Sequence, residues 1–296
     1  MASLTPIRAW IIAARPQTLT AVMAPVLIGG ALAHADGVFA LLPFMAALFG
    51  GMLIQIGTNI ANDYFDFVKG ADTTQRLGGL RVTQAGVLSP KTVRRGMWIV
   101  FTLATAVGVY LVAIAGWPIV AIGIASIAAG VAYTAGPFPI GYLGLGDLFS
   151  FVFFGPIAVA GTYYVQALRF AGHTLLAGIG IGALVTAILV VNNLRDERTD
   201  RAAGKRTLAV RIGSRWTRVE YILLLVVGAV VPILGWRGAL WSAGGMLAVA
   251  ALLLAWPPLR IVSSFVDPRE LNVALHGTAQ LVGAYGLAFA LGLLLV

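Results

Sequence analysis

The chain has 296 residues, of which 59% are hydrophobic and only 10% are charged. Soluble domains carry about 25% charged residues, so this composition excludes an ordinary water-soluble protein and indicates an all-α integral membrane protein. The chain has no cysteine, which excludes disulfides, thiolate metal sites and cysteine nucleophiles. A net charge of +9 would suggest a nucleic-acid partner in a soluble protein. Here no nucleic acid is expected, because the basic residues stand in short segments between apolar runs, as the positive-inside rule requires.

The apolar runs predict the architecture. A transmembrane helix needs about 20 apolar residues, and nine such runs can be marked along the chain. We therefore predict a single transmembrane domain over residues 1–296, built as a bundle of nine transmembrane helices. The predicted spans are, within a few residues, 18–34, 41–62, 96–115, 118–135, 148–167, 174–194, 218–235, 239–257 and 273–296.

The distribution of Lys and Arg predicts the orientation. If the N-terminus lies inside, 18 of these residues fall on the inside and 2 on the outside. The positive-inside rule then predicts a multi-pass protein of the cell (cytoplasmic) membrane with its N-terminus in the cytoplasm and its C-terminus outside. Two inside segments are long, at about 63–95 and 195–217, and we expect them to cap a site at the cytoplasmic face.

The first acidic motif, "NIANDYFDFVKGAD", covers residues 59–72 and ends the second predicted span. Asn59, Asn62, Asp63 and Asp66 are spaced i, i+3, i+4 and i+7, so they share one helix face. Asp72 follows in the adjoining segment. Carboxylates at a helix C-terminus interact unfavourably with the helix dipole, which indicates that a positively charged group stabilises them there.

Two residues stand between the acidic motifs at the same predicted face. Tyr133 ends the fourth span, and Asp147 begins the fifth within "GLGDLFSF". The simplest interpretation of Asp147 is an acid favoured by the dipole in a first helical turn. Tyr133 could equally be an interfacial anchor.

The second acidic motif ends the sixth span. Asn192, Asp196 and Asp200 are spaced i, i+4 and i+8, again on one face. Two such faces at one depth could surround a cavity, and a bound cation would reverse the local field. Oxygen ligands without His or Cys favour Mg²⁺ or Ca²⁺ over zinc, although pairing of the aspartates with loop arginines is the alternative. The predicted Mg²⁺ ligands are Asp63, Asp66, Asp72, Asp196 and Asp200.

Basic and amide side chains beside these acids complete a predicted diphosphate site. Mg²⁺ commonly takes one or two carboxylates together with substrate phosphates, and cationic side chains bind the remaining phosphate oxygens. Topology alone could account for most of the basic residues. The candidates are Asn59, Asn62, Lys69, Arg81, Asn192, Arg198, Lys205 and Arg206.

At these residues the chain resembles the UbiA-type superfamily of membrane aromatic prenyltransferases. The two aspartate motifs of the family match "NDYFDFVKGAD" at 62–72 and "DERTD" at 196–200. The spacing between Asp66 and Asp72 is longer than the corresponding spacing in many members of the family. In this spacing the chain resembles the branch that prenylates 1,4-dihydroxy-2-naphthoate in menaquinone biosynthesis. Two further stretches are similar to that branch, "YTAGPFPIGYLGLGDLFSFVFFGP" at 133–156 and "NNLRDERTDRAAGKRTLAVRIG" at 192–213. This branch usually has glutamate where Asp147 stands.

The resemblance implies a nine-helix, Mg²⁺-dependent enzyme of the lipid bilayer. Its substrates would be polyprenyl diphosphate and 1,4-dihydroxy-2-naphthoate, and transfer of the prenyl group with loss of CO₂ and diphosphate would give demethylmenaquinol. Asp147 would orient or deprotonate a ring hydroxyl. The candidate catalytic residues are Asp147, Tyr133 and Arg81.

Two alternatives stay open from the sequence. The first is the same chemistry on another aromatic or lipid acceptor, such as homogentisate, a haem or a sugar lipid. The second is a secondary transporter whose acids bind a cation or a proton. Transporters place such sites near the bilayer midplane, whereas these acids are predicted at the cytoplasmic helix ends.

Overall fold

A computed structural model describes residues 5–71 and 77–295 of the chain. Within these residues all regular secondary structure is helical, which confirms the predicted all-α class. Short 3₁₀ or π-helical turns connect several of the helices. The helices are α1 (Pro6–Ala14), α2 (Thr20–Ala35), α3 (Leu41–Val68), α4 (Pro90–Ala115), α5 (Trp117–Ala132), α6 (Gly146–Val152), α7 (Ala158–Ala167), α8 (Gly172–Ala202), α9 (Leu208–Arg237), α10 (Leu247–Ala251), α11 (Trp256–Ser264) and α12 (Leu271–Leu294).

The helices identify a multi-pass membrane protein, but their lengths do not clearly give nine spans. Seven helical segments of the described chain are long and apolar enough to cross a membrane, and an eighth is obtained if α1 and α2, bent by 50°, form one span. The remaining predicted span is α5, which has only 16 residues. The predicted count of nine missed these features because hydropathy records composition and not bends or helix ends.

Local sequence signals set the bend between α1 and α2. The Thr5 hydroxyl accepts a hydrogen bond from the Arg8 amide, and Pro6 occupies the first helical position, as is typical of a helix start. α1 ends at Arg15, whose backbone is left-handed with φ 51°. The chain then turns through residues 16–18 into α2, so α1 does not continue the line of α2.

α8 lies at the centre of the bundle, and 72% of its most apolar 18-residue stretch is buried. The broken helix formed by α6 and α7 approaches it closely. A Cβ atom at Gly155 would lie 2.5 Å from the Gly178 carbonyl oxygen, and one at Gly182 would lie 2.8 Å from the Gly155 Cα. The small residues of "GIGIGALVTA" (178–187) are therefore what permits this close packing, as membrane helix interfaces commonly show.

α3 and α8 extend beyond the predicted spans, so Asp63 and Asp66 of the first acidic motif and Asp196 and Asp200 of the second lie on helices. α3 continues to Val68 and α8 to Ala202. The segments predicted as loops over 63–95 and 195–217 are correspondingly shorter, because α4 begins at Pro90 and α9 at Leu208. Ser89 and Thr207 cap those two helices by accepting hydrogen bonds from Thr92 and Val210. Polar residues can continue a helix where its end leaves the hydrocarbon, so the hydropathy edges fall short of the helix ends.

Candidate active site

A cavity of about 1040 Å³ reaches from the ends of α3 and α8 into the bundle. Along α3 its wall runs from Asp66 to Ala47, about 28 Å at the helical rise of 1.5 Å per residue. One end is polar and the rest is mostly apolar, so the cavity suits a molecule with a charged head and an apolar tail. The polar end includes Asn59, Asn62, Asp66, Arg81, Tyr133, Tyr142, Asn192, Arg195, Asp196, Asp200 and Lys205.

Asp66 is the centre of the polar end and is only 2% exposed. Arg81 Nη2 lies 3.3 Å from Oδ2, and Lys205 Nζ lies 3.2 Å from Oδ1. The Tyr142 hydroxyl donates to the same Oδ1 at 2.7 Å. The carboxylate of Asp66 therefore draws together the segment after α3, the α5–α6 connection and the segment after α8.

Asp63 faces a different set of partners. Its Oδ2 accepts from the Val82 amide at 3.1 Å, its Oδ1 accepts from the Thr83 amide at 3.0 Å, and the Thr83 hydroxyl also donates to Oδ1. The residue is 1% exposed. These bonds fix the backbone directly after Arg81, and so they hold the guanidinium of Arg81 near Asp66.

The second acidic face carries an ion pair that the sequence analysis did not find. Arg195 donates to Asp196 twice, from Nε to Oδ1 at 2.8 Å and from Nη2 to Oδ2 at 2.6 Å. It also donates to Asn192 at 2.8 Å and to Asn272 of α12 at 3.0 Å. Arg195 is 4% exposed, whereas Arg198, one of the predicted diphosphate-binding residues, is exposed. The i+3 spacing of Arg195 from Asn192 was the signal that could have found it.

Three other predicted basic residues occupy distinct places. Lys205 lines the cavity, whereas the Arg206 side chain is exposed and its backbone amide donates to the Tyr142 carbonyl at 2.9 Å. Lys69 donates to the Gly136 carbonyl at 2.9 Å. Burial lowers the pKa of the Lys69 ammonium, although Asp66 opposes that change. Arg15, which has no predicted role beyond topology, lines the cavity as well.

The predicted amides are divided between the site and the scaffold. Asn59 donates to the Ala14 carbonyl at 2.9 Å and to the Thr18 hydroxyl at 2.8 Å, so it ties α3 to the bend between α1 and α2. Asn62 accepts from the Thr134 hydroxyl at 3.0 Å. Both residues line the cavity.

Tyr133 lies at the cavity wall, whereas Asp147 lies near Tyr133 but does not line the cavity. Tyr133 lines it and packs against Gly146, where an added Cβ atom would lie 2.8 Å from the Tyr133 hydroxyl. Asp147 is 6% exposed, and its carboxylate receives no hydrogen bond from another described residue. α6 begins without a side-chain cap. A buried carboxylate without partners is costly, so this geometry favours a role for Asp147 other than capping.

The acids facing the cavity fit a magnesium–diphosphate site. Asp66, Asp196 and Asp200 all line it and supply only carboxylate oxygens. Across the described residues, no three carboxylate or imidazole groups lie close enough to form a complete metal site. Mg²⁺ does not require one, because it commonly combines one or two carboxylates with substrate phosphates and water. The predicted ligand Asp72 lies outside the described residues.

The chain is similar to known proteins in sequence and in fold. The chain matches the UbiA prenyltransferase family over residues 22–274. It is 36% identical to a 1,4-dihydroxy-2-naphthoate octaprenyltransferase of Haemophilus influenzae, over 98% of this chain and 96% of that protein. It is 37% identical to the protein of the same name in Escherichia coli, over 97% and 96%. The solved structure of a UbiA homolog from Archaeoglobus fulgidus bound to DMAPP and Mg²⁺ has a TM-score of 0.67, with 13% identity over 97% of this chain and 99% of that one. That low identity makes the structural likeness one of fold alone.

Proposed function

The chain belongs to the UbiA prenyltransferase family, and from this premise we propose that it transfers a polyprenyl group from polyprenyl diphosphate to 1,4-dihydroxy-2-naphthoate. The reaction releases CO₂ and diphosphate and gives demethylmenaquinol. The proposal rests on one observation, a cavity with carboxylates and basic groups at one end and an apolar interior. The naphthoate acceptor rests on the curated relatives, which carry that activity in their names.

The polar end holds the diphosphate in this proposal. Asp66, Asp196 and Asp200 would hold Mg²⁺, which neutralises diphosphate charge and makes diphosphate a better leaving group. Arg81 and Lys205 contact Asp66 and are within reach of phosphate oxygens at that end. Arg195 keeps the Asp196 carboxylate in a fixed orientation through its paired hydrogen bonds. Asp63 and Asp72 remain proposed ligands, although the hydrogen bonds of Asp63 favour an anchoring role.

The acceptor ring lies between the diphosphate carbon and Asp147. Asp147 takes or holds the proton of a ring hydroxyl, which raises the electron density of the ring, and Tyr133 orients that hydroxyl. A ring carbon then bonds to the prenyl carbon as the bond from that carbon to the diphosphate oxygen breaks. The attacking carbon is the one that bears the carboxylate, so loss of CO₂ returns the electrons of the broken carbon–carbon bond to the ring and restores its aromaticity. The ring oxygen then takes back the proton held by Asp147. The apolar wall keeps water away from the cationic prenyl carbon.

We also propose that all nine apolar helical segments cross the bilayer. α4 ends at Ala115 and α5 begins at Trp117, so only Gly116, with φ 75°, separates them. A turn this tight sends α5 back alongside α4. α5 is about 24 Å long by its helical rise, a little shorter than a hydrocarbon core of about 30 Å. Local thinning of the bilayer accommodates such a mismatch.

The proposed orientation makes a direct prediction for reporter fusions. Fusions within 77–89 and at 203–207 should report a cytoplasmic location, while fusions at 169–171 and at the C-terminus should report the outside. The physical reason is the strong excess of Lys and Arg on one side. Paired reporters, one active only inside and one only outside, are placed at each position as mutual controls. An outside location for 203–207 would contradict the proposed site.

Lys205 and Arg206 provide a neighbouring pair with different expected effects. Lys205→Ala should weaken binding of prenyl diphosphate by roughly ten- to a hundredfold, since it removes one charge-assisted contact worth about 1.5–3 kcal/mol. Arg206→Ala should have a much smaller effect, because the Arg206 side chain is exposed. Affinity is measured by titration of the purified variants. Arg260→Ala is the control, because Arg260 is exposed. Equal effects of all three substitutions would mean that Lys205 contributes only to membrane topology and not to diphosphate binding.

The acceptor is tested by competition. Membranes containing the protein are incubated with Mg²⁺, a prenyl diphosphate and equal amounts of 1,4-dihydroxy-2-naphthoate, 4-hydroxybenzoate and homogentisate, and the lipid products are identified by mass. We expect prenylated naphthoquinol without the carboxyl group to dominate. Membranes without the protein are the control. Preferential prenylation of another acceptor would overturn the naphthoate assignment. Transfer of a prenyl group to an aromatic acceptor would then still be supported.

A further inference from the structure

Tyr142 lies in the short 3₁₀ turn Ile140–Leu143 that connects α5 to α6. Its hydroxyl donates to Asp66 Oδ1 at 2.7 Å. Lys69 Nζ lies 5.0 Å and Lys205 Nζ lies 4.8 Å from the centroid of its ring. Its carbonyl accepts from the Arg206 amide at 2.9 Å. One side chain and its backbone therefore contact the end of α3, the segment just after it, and the link between α8 and α9.

The ring of Tyr142 offers a physical reason for two ammonium groups to stay together. Two like charges repel, and each lysine also loses side-chain conformational entropy when it is held in one place. A cation within about 6 Å of an aromatic centroid is attracted by the ring, and both lysines meet that condition. Asp66 adds a negative charge on the hydroxyl side of the ring, 3.2 Å from the Lys205 ammonium.

We propose that Tyr142 is a positioning residue of the diphosphate site, with two separate contributions. Its hydroxyl fixes the carboxylate of Asp66, and its ring holds the ammonium groups of Lys69 and Lys205 near that carboxylate, where Lys205 lines the cavity and Lys69 lies just outside it. The chemistry of the ligand, a diphosphate bound with Mg²⁺, rests on the proposed function. Because the two lysine side chains are already ordered before the anion binds, less conformational entropy is lost on binding. This strengthens binding without a direct contact from Tyr142.

Two substitutions separate the contributions. Tyr142→Phe removes the hydroxyl and retains the ring, whereas Tyr142→Leu removes both. With inorganic pyrophosphate and Mg²⁺ as the probe, we expect affinity to fall by about threefold in Tyr142→Phe and by roughly ten- to thirtyfold in Tyr142→Leu. Titration calorimetry of the purified full-length protein gives the affinities. Tyr110→Phe and Tyr110→Leu serve as matched controls, because Tyr110 is 40% exposed on α4.

Steady-state kinetics distinguish positioning from a general structural role. The KM for prenyl diphosphate should rise in the order wild type, Tyr142→Phe, Tyr142→Leu, while the KM for the naphthoate stays within about twofold. Thermal unfolding is recorded for each variant, and if Tyr142→Leu is unstable, the near-isosteric Tyr142→Phe decides. Unchanged pyrophosphate affinity in Tyr142→Phe and Tyr142→Leu overturns the assignment, and an equal loss in both overturns the role of the ring.

This experiment separates the role of Tyr142 from the proposed function. Pyrophosphate binding requires no aromatic acceptor. A wild-type protein that binds pyrophosphate with Mg²⁺ but does not prenylate the naphthoate refutes the acceptor alone, and the graded loss across the Tyr142 variants then still supports the positioning role. A wild-type protein that does not bind pyrophosphate with Mg²⁺ overturns both proposals.

Discussion

Replacement of Asp66 by asparagine is expected to lower the rate of prenyl transfer by about 10²- to 10⁴-fold, the size of effect that several kcal/mol of lost transition-state stabilisation produces. The amide keeps the shape of the side chain but removes the charge that meets Arg81, Lys205 and Tyr142. It also removes a proposed Mg²⁺ ligand. Turnover of purified protein with saturating prenyl diphosphate and naphthoate is the measurement.

Glu197→Gln supplies the matched control for Asp66→Asn. Glu197 lies on α8 near the second acidic face, but it pairs with Arg201 at 3.0 Å, and the Arg201 side chain is 62% exposed. An exposed helix pair of this kind contributes little, so turnover in Glu197→Gln should stay near that of the wild type. Turnover of folded Asp66→Asn within about fivefold of the wild type would remove Asp66 from the centre of the site.

Asp147→Asn is expected to lower turnover by about 10²- to 10⁴-fold while binding of prenyl diphosphate is retained. Asparagine cannot accept a proton, although it fits the same space. Asp147 is buried and receives no hydrogen bond from another described residue, so the substitution breaks no hydrogen bond to the surrounding fold. Stability should therefore change little, and turnover and prenyl diphosphate affinity are measured on the same preparations.

Asp267 provides an acid that does cap a helical turn. Its side chain accepts from the Arg269 amide at 2.8 Å within a capping box completed by Glu270. Asparagine is also a good cap, so Asp267→Asn should leave turnover almost unchanged. If Asp147→Asn behaves like Asp267→Asn and folds normally, Asp147 has a structural role.

The helical periodicity of the acids carried most of the site prediction. Spacings of three and four residues placed Asp66, Asp196 and Asp200 on inward faces, and all three line the same cavity. Hydropathy predicted the helical membrane class for a simple reason, since so few charges cannot cover a soluble surface. It did not predict the bend between α1 and α2 or the short α5, because both depend on a few residues at helix ends.

Contacts between distant parts of the chain were beyond the sequence analysis. Asp63 and Asp66 belong to one motif, yet Asp63 anchors the Val82 and Thr83 amides while Asp66 faces the cavity. Spacing along a helix cannot tell which partner each carboxylate meets. Tyr142 was missed for the same reason, since its importance comes from Asp66, which is far away in sequence.

The most direct test of the account measures whether binding of a prenyl diphosphate requires both Mg²⁺ and the two acidic faces. Calorimetric titration of the purified protein with a short prenyl diphosphate is performed in Mg²⁺ and again after treatment with EDTA, for the wild type, Asp66→Asn and Asp200→Asn. We expect tight binding only for the wild type in Mg²⁺, with at least a tenfold loss of affinity in each of the other cases. If the wild type bound equally tightly after EDTA treatment, or if both variants bound as tightly as the wild type in Mg²⁺, the proposed magnesium–diphosphate site would be contradicted.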